Sequence, residues 1–275
     1  DLEKSVPNAQ FRASRATSST LTAYIRGVGQ QDPLWGFEPG VGVYVDDVYY
    51  ARPQAAVIDV FDIERVEVLR GPQGTLYGKN TVGGAIKYIT RRMTGDANGE
   101  AKIAIGDYGQ QEITLSGQLP IIQDTLYIGA AVSKMERDGY GKVSTGYDLE
   151  TGEFSSREEN YNKDVFAGRF TLEYTPTDDL FIRFNYDKTV DDSNSKGGYR
   201  LLPSIVTNAP VPDSVYDSYT SMPTWNSVES DGMSLTVEYY ISDEWSVKST
   251  TASRGRISIK RGSESVLRSP GTNAG

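Results

Sequence analysis

The sequence predicts a chain in two parts: a glycine-rich α+β domain over residues 1–95, then, over residues 96–275, about seven strands of an antiparallel transmembrane β-barrel. Three observations lead there. Short apolar strands punctuated by glycines fill the first third. Long segments of polar–apolar alternation fill the remainder. The connections between those long segments are short at one end and long at the other.

In the first part, strands are expected at Leu21–Arg26, Val41–Asp46, Val66–Leu69 and Ala85–Thr90. Val41, Val43 and Val45 show the two-residue period of a half-buried strand. Asp46-Asp47 reads as a tight turn into Val48-Tyr49-Tyr50, and Ala55–Ile63 as a short helix with Pro53 near its start. Gly71, Gly74, Gly78, Gly83 and Gly84 mark backbone that turns sharply or approaches a neighbour closely.

In the second part, Phe166, Phe170, Leu172 and Tyr174 share a face opposite Arg169, Thr171 and Glu173. Leu180, Ile182, Phe184 and Tyr186 oppose Arg183, Asn185 and Asp187, and Met233, Leu235, Val237, Tyr239 and Ile241 oppose Ser234, Thr236 and Glu238. Segments 101–106, 110–119, 125–136 and 245–259 read similarly. Alternation alone fits a soluble antiparallel sandwich equally well. The connections tip the balance: short turns at Pro120–Asp124, Thr175–Asp179 and Ser242–Glu244 contrast with long polar connections at 138–162 and 191–229, the layout of an outer-membrane barrel. The strands run about 10 residues, the length a tilted membrane strand needs. Tyr127, Tyr174 and Trp245 are placed for an interfacial aromatic girdle.

Composition removes several function classes. A net charge of −9 with no basic block beyond Arg91-Arg92 argues against a nucleic-acid partner. With no Cys and no His there is no thiolate, no imidazole base and none of the usual transition-metal ligands. Gly78-Lys79 lacks the spacing and following hydroxyl of a phosphate loop, and Gly27-Val28-Gly29 lacks the third glycine of a dinucleotide fingerprint. The pairs Asp46-Asp47, Asp178-Asp179 and Asp191-Asp192 sit in turns, where carboxylates are usually solvated, and no calcium-loop spacing surrounds them. No enzyme, cofactor or metal site is expected.

Four ordered segments carry a resemblance: Tyr24-Ile25-Arg26-Gly27, Val43-Tyr44-Val45-Asp46, Asp62 through Gly78 (with Glu67-Val68-Leu69-Arg70-Gly71-Pro72 at its centre), and Gly83-Gly84-Ala85-Ile86 running to Arg92. Together they resemble the plug domain of TonB-dependent outer-membrane receptors. Two positions depart from the family pattern: Lys87 where Asn is usual, read as a surface-sized change, and Asp47 where Gly is usual, which leaves the turn type open.

The resemblance implies a plug inside a large barrel of ~22 strands, of which this chain carries an incomplete set, with a TonB-contact segment expected upstream of Asp1. It implies plug–barrel locking by Arg26 and Arg70 through glutamates on later strands, with local pairing to Glu64 or Glu67 as the alternative. It implies active import of a scarce large solute across the outer membrane of a Gram-negative bacterium, energised by the TonB–ExbB–ExbD complex. A ferric siderophore or other iron chelate is the expected ligand, with cobalamin or a glycan as further options. A passive channel or adhesin and a soluble β-sandwich binding module are the rival readings. The ligand would meet loops 30–38 and 49–54, where Trp35, Phe37, Tyr49, Tyr50 and Arg52 offer stacking and charge. Tyr216, Tyr219 and Trp225 in the long loop are secondary candidates.

Overall fold

The computed structural model describes residues 6–13, 19–30, 38–50, 63–147, 150–205, 209–219, 225–255 and 258–261. In the N-terminal domain β1 (Ala9–Ala13), β2 (Leu21–Ile25) and β3 (Val28–Gly29) form one small sheet. The second sheet combines β4 (Val41–Val45), β5 (Val48–Tyr49), β6 (Ile63–Arg70) and β7 (Gly84–Thr90) in the order β5-β4-β7-β6, with β4 and β7 parallel. A single helical turn, α1 (Gly74–Tyr77), lies between β6 and β7. The helix expected at 55–63 falls outside the described residues except for Ile63, which opens β6.

Alternating valines led to a half-buried β4, yet all five of its residues are buried. The cause lies on its second face. There Tyr44 packs edge-on against Tyr77 of α1, with ring centroids 5.2 Å apart, and its hydroxyl donates to the Tyr77 carbonyl at 2.7 Å. On the first face Val41, Val43 and Val45 join Ile25, Ile86 and Tyr88 in the domain's apolar core. Burying each aliphatic side chain contributes about 1.5–3 kcal/mol.

The turn after β4 is now defined. Asp46 and Asp47 have φ of 48° and 65°, the two left-handed residues of a type I′ hairpin, which Asp tolerates better than most residues without glycine's freedom. Gly84 shows close approach: at φ +148° its missing Cβ would point at the Leu69 carbonyl and 2.9 Å from Ile25 Cδ1. That crowding arises inside the N-terminal domain, so the glycine serves the domain's own packing and not contact with a surrounding wall.

The chain continues through β8 (Asn98–Gly106), β9 (Gln110–Ile122), β10 (Leu126–Arg137), β11 (Gly141–Tyr147), β12 (Phe154–Asn160), β13 (Lys163–Thr177), β14 (Leu180–Asp191), β15 (Ser218–Tyr219), β16 (Asn226–Tyr240), β17 (Ser246–Arg254) and β18 (Ser258–Arg261). Seven of these make one antiparallel meander, β17-β16-β14-β13-β10-β9-β8, and β18 pairs with β16 past the end of β17. The remaining three, ordered β12-β11-β15, form a small sheet within the long connections, which the polar composition of those loops had concealed.

The meander is two-faced. In Leu180–Asn185 burial alternates strictly, with Phe181, Arg183 and Asn185 inward. Across the outer face the register aligns Leu119, Ile128, Leu172, Phe184 and Leu235 in one row, and Phe170, Tyr186 and Met233 in the next. Phe166, Phe170, Tyr174, Met233 and Leu235 are exposed there. Lys134 bonded to Asp164 and Glu136 bounds the apolar band at one end. Tyr174, Tyr239, Tyr240 and Trp245 lie exposed by the short turns. The span from Phe166 to Thr175 is about 10 residues at about 3.3 Å each; tilted by about 40° it covers ~25 Å, a hydrocarbon thickness. Tyr127 does not join this girdle. It shares the inward face with its cross-strand partner Glu173, is buried, and its hydroxyl is 3.3 Å from Asp124 Oδ1 in the turn.

Gly84→Ala is expected to destabilise the N-terminal domain by about 1–3 kcal/mol, the range for forced backbone strain. Gly74→Ala, whose added Cβ meets nothing within 4 Å, should be neutral. Trypsin sensitivity of the full-length protein compares the two.

Candidate functional site

The N-terminal domain meets the inner face of the meander through polar groups, and the Asp46-Asp47 turn is where most of them converge. Arg169 and Arg183 reach it because odd-numbered residues of β13 and β14 point inward. Arg169 Nη2 donates to Asp46 Oδ2 at 2.6 Å, and Arg183 Nη1 lies 3.6 Å from Asp46 Oδ1. Thr90, at the end of β7, adds its N–H at 2.9 Å and its hydroxyl at 2.8 Å. The parallel pairing of β4 with β7 ends at Val45 and Tyr88, which brings the turn and Thr90 to one corner.

Arg183 spends its other donors nearby: Nη1 on Thr90 Oγ1 at 3.1 Å, Nη2 on the Arg91 carbonyl at 3.3 Å, and Nε on Glu173 Oε1 at 2.7 Å. The second oxygen of Glu173 accepts the Met93 N–H at 2.9 Å. The side chains of Asp46, Arg169, Arg183 and Glu173 expose 9%, 8%, 8% and 3% of their surface, so two cations and two anions balance with almost no help from water. Burial pushes the Asp46 carboxyl upward, but Arg169, Arg183 and the Thr90 N–H outweigh it and hold the group below the usual carboxylate range.

Three further links cross the same boundary. Asp47 takes Lys87 at 3.1 Å from its own domain and Lys248 at 2.8 Å from β17; Lys248 continues to Glu238 at 3.0 Å, and Glu238 pairs with Arg92, whose guanidinium lies 4.0 Å over the Phe181 ring. Tyr50 donates to Asp187 Oδ1 at 3.3 Å beneath Arg254, whose guanidinium is 3.7 Å from the ring and which binds both Asp187 oxygens. The Ser19 N–H donates to buried Asp191 at 2.8 Å. These links run from Arg92–Glu238 near the short turns to Ser19–Asp191 at the long-loop end. A cavity of about 560 Å³ separates the domain from β8–β10 and is lined by Thr90, Arg91, Lys102, Gln118 and Arg169 among others.

Several sequence expectations change here. Asp46 is not a solvated turn carboxylate but the centre of the network. Lys87 is not at the surface: its side chain is 15% exposed, and it pairs with Asp47, so the two departures from the family pattern are each other's partner. Tyr50 is buried against β14 and β17 and offers no face to a ligand. Tyr49 is partly buried, accepting from Asn80 at 3.0 Å. Trp35, Phe37 and Arg52 lie outside the described residues. Arg26 and Arg70 are exposed and form no ion pair among the described residues; local pairing does not occur, since Arg65 takes both Glu64 and Glu67. In sequence the charges at 169, 173, 183 and 187 mark only a polar strand face, which reads alike whether it meets water or protein. Opposite charges at the two departures, 47 and 87, were the available signal.

Residues 1–85 match the TonB-dependent receptor plug domain. The pesticin receptor of Yersinia enterocolitica is 34% identical over 123 residues, which cover 43% of this chain and 17% of that receptor. The ferrioxamine B receptor of Salmonella typhimurium is 33% identical over 134 residues, 45% of this chain and 19% of the receptor. The crystal structure of the ferric yersiniabactin uptake receptor from Yersinia pestis superposes with a TM-score of 0.70 at 20% identity, over 91% of this chain and 37% of that one. The chain thus spans well under half the length of these relatives.

Arg183→Met leaves Glu173 as a buried, uncompensated carboxylate and is expected to cost about 3–5 kcal/mol of domain seating, read as a lower melting temperature of the full-length protein. Because Asp46 has a lower pKa folded than unfolded, its contribution is complete above about pH 4 and is lost as pH falls through the depressed folded value. Asp46→Asn should flatten the acid limb of the pH–stability curve.

Proposed function

We propose, from the match of residues 1–85 to the TonB-dependent receptor plug domain, that this chain is part of a receptor of that kind and that the whole protein imports a scarce, large solute across the outer membrane. One observation carries the reading. The plug keeps most of its apolar core to itself, with Tyr50 at the boundary beneath Arg254, while its contact with the meander is dominated by ion pairs, hydrogen bonds and a roomy polar cavity. A stopper held this way can shift while exposing little apolar surface, because water can replace charged partners as it cannot replace a hydrophobic contact.

The outer face complements this. Its aligned apolar rows, with aromatic and charged margins, suit hydrocarbon, which supports outer-membrane lipid as a partner and the meander as part of a transmembrane barrel. Arg26 and Arg70, exposed on the plug, are left for carboxylates on later strands. TonB, working with ExbB and ExbD, would pull the plug. The ligand would be a ferric siderophore or related iron chelate, met by loops 30–38 and 49–54, where Trp35, Phe37, Tyr49 and Arg52 stand. The ferrioxamine B receptor among its relatives supports this class.

Iron-55 uptake from a panel of ferric siderophores, measured in a deletion strain carrying the full-length gene with and without functional TonB, tests the proposal. Uptake present only with TonB is expected; equal uptake in both backgrounds would indicate a passive channel. Leu172→Arg, placed in the apolar band, should lower barrel stability by about 2–4 kcal/mol, seen as loss of the heat-modifiable folded band on gels.

A further inference from the structure

The plug is bonded closely to one part of the inner wall and stands off from another. Its seating bonds end on β13, β14, β16 and β17, where Arg169, Glu173, Arg183, Asp187, Glu238 and Lys248 take groups of the plug and its exit. Toward β8–β10 the two surfaces part. The cavity of about 560 Å³ lies there, with Ile63, Thr90, Arg91 and Met93 on the plug side.

The size of the wall side chains sets this difference. Cross-strand pairing puts Glu100, Ser116, Ala131 and Arg169 in one inward row, and Asn98, Gln118, Gly129 and Thr171 in the next. Along the first row a guanidinium that reaches Asp46 gives way to a methyl and a hydroxymethyl, which are too short to cross the gap. Along the second row Gly129 admits Met93 at the short-turn end of the cavity, where an added Cβ would lie 2.8 Å from the Met93 Sδ.

Separation therefore breaks different things on the two sides. On the β13–β17 side it strands Asp46, Arg183 and Glu173, whose charges are almost shut off from water. On the β8–β10 side it enlarges a space already lined by Lys102, Thr114, Ser116 and Gln118, groups that water solvates as the space grows. Atoms lining a void have few partners across it to lose, so a void widens more easily than a packed contact parts. The space already has the volume of an ordinary small-molecule site, about 300–1,000 Å³.

We infer that the plug pivots on its bonds to β13–β17 and opens against β8–β10, where the existing cavity widens into a passage. That the passage carries imported solute rests on the import reading above; the side on which the plug parts from the wall does not.

These 275 residues contain no cysteine, so paired cysteines can be placed at will. In the full-length receptor, Asp47→Cys/Lys248→Cys spans the pivot and Ile63→Cys/Ser116→Cys spans the gap. Each pair is bridged with a bismaleimide whose spacer holds a reducible disulfide, and each variant serves as its own reference before bridging and after reduction. Bridging 63 to 116 is expected to abolish TonB-dependent uptake, with reduction restoring it, whereas bridging 47 to 248 leaves uptake near its unbridged level. Uptake that survives the 63–116 bridge, or that is lost with both bridges, overturns the pivot. A second readout is independent of transport: spin labels on the same pairs in the purified full-length receptor report both distances as urea is raised. The 63–116 distance should lengthen while the 47–248 distance holds, and the reverse order or simultaneous change overturns the pivot. Uptake by the unbridged variants without TonB sinks the import reading alone, since the urea series still reports which side parts first.

Discussion

A single buried carboxylate organises the contact between the two parts of this chain. Asp46 occupies a left-handed turn position and is nearly shut off from water, so its charge is tolerable only while Arg169, Arg183 and Thr90 surround it. Those partners arrive from two strands of the meander and one strand of the plug. The same arginine that reaches Asp46 also satisfies Glu173, which in turn fixes the Met93 amide at the exit from the plug. Removing any member leaves another member's charge or hydrogen-bonding group stranded, so plug seating and the path of the linker into β8 are set by one set of bonds.

The polarity of that contact has a mechanical meaning. Tight domain interfaces normally hide apolar surface, and separating them exposes it to water. Here most of the plug's apolar core lies within the plug, and the zone between plug and meander is largely ionic and partly open, with the Tyr50 and Phe181 rings each capped by an arginine. The alternating series Glu67, Lys87, Asp47, Lys248, Glu238, Arg92 illustrates the principle, since Asp47, Lys248 and Glu238 each have a partner on either side of the boundary and the chain of pairs can be broken one link at a time.

Much of the fold could be read directly from residue order. The seven long strands, the short turns after β9, β13 and β16, and the plug strands β2, β4, β6 and β7 follow from period and punctuation, because alternation with a two-residue period leaves few choices once turns are located. Less visible were β1, β3 and the small β12-β11-β15 sheet, whose short or polar strands carry no periodic signal. Tyr127 was misplaced for a related reason: an aromatic residue near a turn suits either face, and only its pairing with Glu173 decides that it points inward.

What the sequence determined by itself was therefore local: two parts of different grammar, a plug recognisable by four ordered motifs, and strands with one apolar and one polar face. Tertiary structure alone decided which charges count. Asp46 and Asp47 look alike in sequence, yet one is buried among arginines and the other bridges two lysines. Lys87 looks like a surface substitution until Asp47 is found against it. The physical reason is that burial and pairing of a charge depend on what lies across from it, and the partners here are separated by up to 201 positions, as Asp47 and Lys248 are, a distance over which no local pattern carries information.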